Sequence, residues 1–396
     1  MTRTEEVFVE VDFSQENKAG QTAAGDVFLS HRDKGSERTI CILADGLGSG
    51  IKANVLATLT ATMAMKYVTS DIDPQKAAEI IMATLPVCST RKIGYSTFTI
   101  IDIQPQRKVR VIEYDNPPYL LIRDGKDIKI EKERFTIKTV TTGERELFYS
   151  DFIAKENDRI VFFSDGVTQS GMGSDVMPLG WMNGGASACV VDNCRQDPGI
   201  SARYLSRKVV ERALKNDQLK AKDDISCAVV SFRKPRKTLV VTGPPFDKKN
   251  DAVLARKFQE YNGRKVICGG TTANIIARET GKHIGLDLSN LWPDIPPKSK
   301  MSGADLVTEG TLTLNKTLEI LKSGKDPDKL RQDPASELVK IFLESDVINF
   351  IVGTKINEAH QDPTLPEALD IRRNLLKSMV KVLNDKYLKE ANIELI

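Results

Sequence analysis

The chain has 396 residues, 40% of them hydrophobic and 28% charged, with a formal net charge of +3. Such an ordinary balance argues against a nucleic-acid binder, an acidic-membrane binder and a disordered chain, and the length calls for two or three domains. The amino terminus lacks the apolar core of a signal peptide, and no uncharged run is long enough to span a bilayer. The six cysteines (Cys41, Cys88, Cys189, Cys194, Cys227, Cys268) form no repeated CxxC, which fits a reducing cytoplasm.

In chain order the first part reads as strands. EVFVEVDFS, GDVFLSHR, RTICILAD, YSTFTIIDI, KVRVIEYD, PYLLIRDG, DIKIEKE, DRIVFFSD and ISCAVVSF all carry β-branched or aromatic residues between turn signals. Helices are predicted from Ser49 to about Tyr67, from Pro74 to about Leu85, and near Ile200 to Lys215, with Ser49 and Asp73 as N-caps of the first two. The first helix has so few charges that most of its circumference is expected to be buried. Together these elements predict an α+β domain over residues 1–233. After the basic connection RKPRKT the rhythm changes. A strand at Thr238–Thr242 precedes a helix at about Lys249–Tyr261, a strand at Arg264–Cys268 and a helix at about Thr272–Thr280. Helices near 312–322, 334–344 and 366–389 follow, so a second, α/β domain is expected over 239–396.

Two strands run straight into Asp-Gly: ILADG at Asp45-Gly46 and VFFSDG at Asp165-Gly166. Asp26 and the pair Asp223-Asp224 also sit at strand boundaries. Any one Asp-Gly is most often a plain turn. Four acidic strand ends meeting at one edge of a sandwich would repel one another unless cations paired with them. Oxygen donors alone select Mg²⁺, Mn²⁺ or Ca²⁺, and none of the three histidines (His31, His283, His360) adjoins the aspartates, which disfavours zinc. Two such ions about 4 Å apart can activate a water and clamp a phosphoryl group. The glycine loop Gly46–Gly50 is not a P-loop, because Ile51 stands where lysine is needed.

The ordered set Gly25-Asp26, ADGLGSGIKA (44–53), NPPYLLI (116–122), FFSDGVTQS (162–170) and DDISCAVV (223–230) resembles the metal-dependent protein phosphatases of the type 2C superfamily. The DGxGSGxxA form is most similar to the bacterial branch represented by stage II sporulation protein E. This resemblance covers roughly residues 1–233. It implies an α-β-β-α sandwich with two Mn²⁺ or Mg²⁺ ions, Asp45 bridging both and the Gly46 carbonyl completing the second site. Asp165 and Asp223 would hold the first ion, with Asp26 in the same cluster and Asp224 ranked below Asp223. The implied activity is hydrolysis of phosphoserine or phosphothreonine on a bacterial regulatory protein of the anti-anti-sigma type. A homodimer is among the partners considered; nucleic acid and membrane are not. Leu47 replaces the histidine of many eukaryotic relatives, leaving the general acid to a water. Their upstream phosphate-gripping arginine is missing, with Lys18 the substitute candidate, and Ser226 stands for the usual threonine. A non-catalytic binding protein of this fold and a metal-dependent nucleotide or phosphodiester hydrolase remain as alternatives. The small residues Ala53, Ala57, Ala61 and Ala64 either let the first helix slide, setting metal occupancy, or serve close packing only.

The resemblance does not extend to residues 239–396. Gly269-Gly270-Thr271-Thr272 stands between a strand and a helix start, where an anion could bind. The alternative is a tight turn with Thr271 or Thr272 as N-cap. A regulatory or ligand-binding role is expected for this domain.

Overall fold

The apolar runs between residues 8 and 233 pair into two antiparallel sheets. The computed structural model describes residues 7–33, 35–70, 72, 74–84, 96–139, 143–287, 291–355 and 367–396. Asp73, Leu85, Cys88 and His360 lie outside these. The chain divides into two units, Met1–Lys234 and Pro235–Ile396.

In the first unit β1 (Phe8–Glu16), β2 (Asp26–Asp33) and β3 (Arg38–Gly46) precede helices α1 (Gly50–Thr69) and α2 (Pro74–Thr84). Strands β4 (Ser96–Gln104), β5 (Lys108–Tyr114), β6 (Leu120–Arg123), β7 (Lys126–Ile128), β8 (Glu133–Thr139) and β9 (Gly143–Ile153) follow. β10 (Arg159–Phe163) runs into the single turn α3 (Asp165–Thr168); α4 (Met182–Gln196) and α5 (Ala202–Asn216) then lead to β11 (Ile225–Arg233). One sheet has the order β1-β11-β10-β6-β7, the other β2-β3-β4-β5-β9-β8.

The two-residue period of β3 shows how the layers form. Cys41 and Leu43 face inward and pack with Phe162, Ala228 and Val230 of the opposite sheet. Ile40, Ile42 and Ala44 face outward under α1 and α2. On the other outer face Val161, Phe163 and Val229 pack against α4 and α5. The result is the α-β-β-α sandwich.

Helix α1 departs from the sequence expectation. Ala53, Ala57, Ala61 and Ala64 are fully buried, but Ile51, Val55 and Leu59 are 69%, 59% and 43% exposed. The helix buries its small residues because they allow its backbone to lie close to the sheet, and this turns an i, i+4, i+8 apolar row outward. Ser49 occupies its N-cap position without a side-chain cap bond. The strand read in DIKIEKE is cut back to Ile128, and α4, whose first turn carries Gly184-Gly185, has no counterpart in the sequence reading.

The second unit alternates β12 (Lys237–Thr242), α6 (Asp251–Glu260), β13 (Arg264–Cys268) and α7 (Gly270–Thr280). Short strands β14 (Ile284–Leu286), β15 (Ser299–Met301) and β16 (Leu306–Thr308) precede α8 (Thr311–Ser323) and α9 (Pro334–Glu344). β17 (Val347–Val352), α10 (Glu367–Asp385) and β18 (Glu390–Leu395) end the chain. Five strands are parallel in the order β16-β13-β12-β17-β18, and β14 and β15 extend one edge antiparallel. The buried run of β12 puts Val240 toward α8, α9 and α10, and Leu239 and Val241 toward α6 and α7. Helices on both faces of a parallel sheet make this a doubly wound α/β unit. Among the described residues no helix is long and apolar enough to cross a membrane.

Candidate metal centre

Antiparallel pairing brings the aspartates together two by two. β2 begins at Asp26 and β3 ends at Asp45-Gly46, and in their ladder Asp26 stands opposite Asp45. In the other sheet β10 ends at Phe163, opposite Cys227 near the start of β11, so Asp165 and Asp223-Asp224 leave the sheet at the same edge. Each sheet thus delivers one pair. Asp45 feels the charges of Asp26, Asp165 and Asp223 together, so the four carboxylates from distant parts of the chain converge.

Two glycines hold the convergence. A Cβ on Gly46 would lie 2.0 Å from the carbonyl oxygen of Ala53, and one on Gly166 would lie 2.1 Å from that of Asp224. Helix α1 can therefore close on the Asp45 turn, and the Asp223-Asp224 loop on the Asp165 turn, only because both positions lack a side chain. At the strand-to-helix corner Gly48 and Gly50 have φ of +112° and +68°, the left-handed region that other residues avoid.

Burial sets the electrostatics. Asp26 is 3% exposed, and desolvation, aided by the charge of Asp224 and opposed by the hydroxyls of Ser164 and Ser226, pushes its carboxyl up to about 7. Desolvation first, then the charges of Asp26, Asp165 and Asp223, raise Asp45 well above the usual carboxylate range. Asp165 is raised by desolvation and by Asp223, against hydrogen bonds that include one from Gln169. Such a group of acids is poised to gain positive charge.

A divalent cation fits this donor set. All donors are oxygens, the hard-ion preference, and Asp26 Oδ2 is buried without a hydrogen-bond partner. The carboxyls contact one another pairwise, Asp26 with Asp45 and Asp45 with Asp165; among the described residues no three His, Cys, Asp or Glu already stand as a finished chelate. Pairwise contact lets neighbouring acids share protons, whose place a cation would take.

The neighbouring residues divide by role. Asp224 is 4% exposed and turned away from the centre: Oδ1 accepts from the Lys18 backbone N–H at 2.9 Å and Oδ2 from that of Gly25 at 2.7 Å. It thereby clamps the loop that leads into Asp26. The Lys18 ammonium stands 3.6 Å from Asp223 Oδ1, at the rim, where both side chains are partly exposed. Sequence reading did not single out three polar supports. Ser164 Oγ accepts from the Ser226 N–H at 3.2 Å, Gln169 Nε2 donates to Asp165 Oδ2 at 2.7 Å, and Asn116 Nδ2 donates to Thr99 Oγ1 at 3.1 Å. All three lay within quoted motifs, but a motif does not say which neighbour a side chain will meet. A cleft of about 520 Å³ adjoins Asn116, with Glu113, Asp115, Lys132 and Arg145 among its mixed-charge walls.

The sequence profile of stage II sporulation protein E (SpoIIE) matches residues 35–233, half of the chain. The chain belongs to the SpoIIE family. The SpoIIE protein of Bacillus subtilis (strain 168) is 25% identical over 152 residues, which make up 38% of this chain but 18% of that relative. The chain thus spans less than a fifth of the curated relative it matches. Among solved structures, the B. subtilis SpoIIE phosphatase domain with a fragment of its regulatory domain aligns with a TM-score of 0.46 at 18% identity. That alignment covers 58% of this chain and 63% of that one. RsbX, solved in complex with magnesium, aligns with a TM-score of 0.39 at 18% identity, over 58% of this chain and 99% of that one.

Proposed function

We propose that residues 1–233 form a metal-dependent serine/threonine phosphoprotein phosphatase. The observation that carries this reading is the meeting of Asp26, Asp45, Asp165 and Asp223 from two sheets at one edge, with the proton affinity of Asp26, Asp45 and Asp165 raised and an orphaned buried oxygen on Asp26. Membership in the SpoIIE family agrees with it.

In this reading Asp45, Asp165, Asp223, Asp26 and the Gly46 carbonyl would hold two Mn²⁺ or Mg²⁺ ions, Asp45 serving both, the Gly46 carbonyl the second, Asp165 and Asp223 the first, and Asp26 completing the cluster. When bound, such ions lower the pKa of water and neutralise phosphoryl oxygens. The protein's own part is to fix these carboxylates on strand ends, to lock Asp165 through Gln169 and to keep Asp224 as a loop clamp. Lys18, at the rim, meets the substrate phosphate. The mixed-charge cleft beside Asn116 has room for a polar segment of a protein substrate. The substrate we propose is a phosphorylated bacterial regulatory protein, in the cytoplasm; the described cysteines are free thiols.

The test is Mn²⁺-stimulated hydrolysis of p-nitrophenyl phosphate, a phosphoserine peptide and a nucleotide by the wild-type chain and Asp45→Asn. Loss of peptide hydrolysis in a folded variant supports the assignment. Retained activity in Asp45→Asn, or a preference for the nucleotide, overturns it.

A further inference from the structure

The second unit carries a different kind of site. All five parallel strands end at one edge, where ligands of doubly wound sheets gather. There β13 passes through Gly269, at φ +129°, into α7. Gly269 is the N-cap, so the helix starts earlier than the sequence suggested, and Thr271 and Thr272 lie inside its first turn instead of capping it. The first intrahelical bond runs from the Ala273 N–H to the Gly269 carbonyl at 3.0 Å, which leaves the N–H groups of Gly270, Thr271 and Thr272 directed out of the helix end.

No side chain caps that end, and its first turn holds no acid. The neighbouring helices supply their own: Glu309 Oε2 accepts from the Leu312 N–H of α8 at 3.1 Å, Asp333 Oδ1 from the Ser336 N–H of α9 at 2.7 Å, and Asp251 opens α6. An independent observation marks the α7 end. Thr272 is 1% exposed, yet its hydroxyl has no hydrogen-bond partner. It points at the glycine turn, for Oγ1 lies 3.4 Å from where a Cβ on Gly269 would be. A buried hydroxyl without a partner is costly. Nothing lies within 4 Å of a Cβ built on Gly270, so the space before these donors is open. A cation stands at the same strand edge: Arg372 of α10 is half-buried, with Nη1 2.6 Å from the Cβ position of Gly243, just after β12.

We infer that the N-terminus of α7, with the buried Thr272 hydroxyl and the Gly269-Gly270 turn, binds a phosphate group, free or as the terminal group of a nucleotide. Three successive N–H donors and the Thr272 hydroxyl match an anion with several oxygens better than a single carboxylate, and the missing Cβ atoms let it approach the backbone.

The test is calorimetric titration of the full chain, carrying Asp45→Asn and with chelator present so that the acidic edge of the first unit binds neither metal nor phosphate. Inorganic phosphate and ADP are the probes. One saturable site per chain is expected, for which the two compete; tighter binding of ADP assigns the group to a nucleotide, equal affinity to free phosphate. Gly270→Asp places a carboxylate in the open space at the helix end and should weaken binding by about tenfold or more. Thr272→Val should weaken it several-fold while Thr272→Ser retains it, a contrast that packing alone would not produce. Absence of saturable binding by either probe up to about 10 mM, where even weak sites fill, overturns the inference. So does unchanged affinity in a folded Gly270→Asp chain.

Discussion

The two units use strand ends in opposite ways. In the first, antiparallel ladders bring carboxylates to one edge, burying Asp26 and leaving Asp45, Asp165 and Asp223 half-buried, so the site is an excess of acceptors that calls for cations. In the second, parallel strands deliver helix N-termini to one edge, and at α7 the result is an excess of donors that calls for an anion. The difference follows from chain direction. An antiparallel pair puts the start of one strand beside the end of the next, so side chains from both converge. A parallel strand is followed by a helix whose backbone N–H groups point back over the sheet edge.

Several measurements would sharpen or break this contrast. Asp45→Asn should lower metal-stimulated phosphatase turnover by about 100-fold or more if, as proposed, it removes the ligand that serves both ions, while circular dichroism shows the fold unchanged. Gly46→Ala should cost about 3 kcal/mol or more in urea unfolding of the first unit, since its methyl would meet the Ala53 carbonyl at 2.0 Å. Adding Mn²⁺ to metal-stripped protein should stabilise the first unit by about 2.7 kcal/mol at a hundredfold excess over Kd and leave the second unit's transition in place; a thermal scan that moves both equally would break the comparison. Asp224→Ala should cost about 2 kcal/mol through the lost clamp on Lys18 and Gly25, whereas Asp223→Ala should lose activity with little change in stability. Gly270→Ala, in open space, should change stability by less than about 1 kcal/mol and in the stabilising direction, the reverse of Gly46→Ala.

Much of the first site was legible in the sequence because its signal is local. A strand that ends in Asp-Gly, met twice, with Asp26 and Asp223-Asp224 at other strand ends, needs only period-two patterning to be seen. The α7 turn was legible for the same reason, as glycines between a strand and a helix. Less visible were elements whose patterning is weak: α4, with two glycines in its first turn, and the three-residue strands β14, β15 and β16, too short to show a period. The partial exposure of α1 was misjudged because hydrophobic content does not say which face a helix turns inward.

What the sequence by itself determined was the chemistry on offer: which strand ends carry acids, which turns carry glycines, and where the rhythm changes from sandwich to α/β. Only the tertiary structure decided how those groups are used. Asp224, adjacent to Asp223 in the chain, becomes a clamp on backbone N–H groups because the Lys18–Gly25 loop crosses it. Thr272, one turn residue among others in the sequence, becomes a buried donor because the chain folds it under Gly269. Both outcomes depend on packing between segments far apart in the chain or across a turn, and a side chain's environment, unlike its identity, is fixed only when those segments meet.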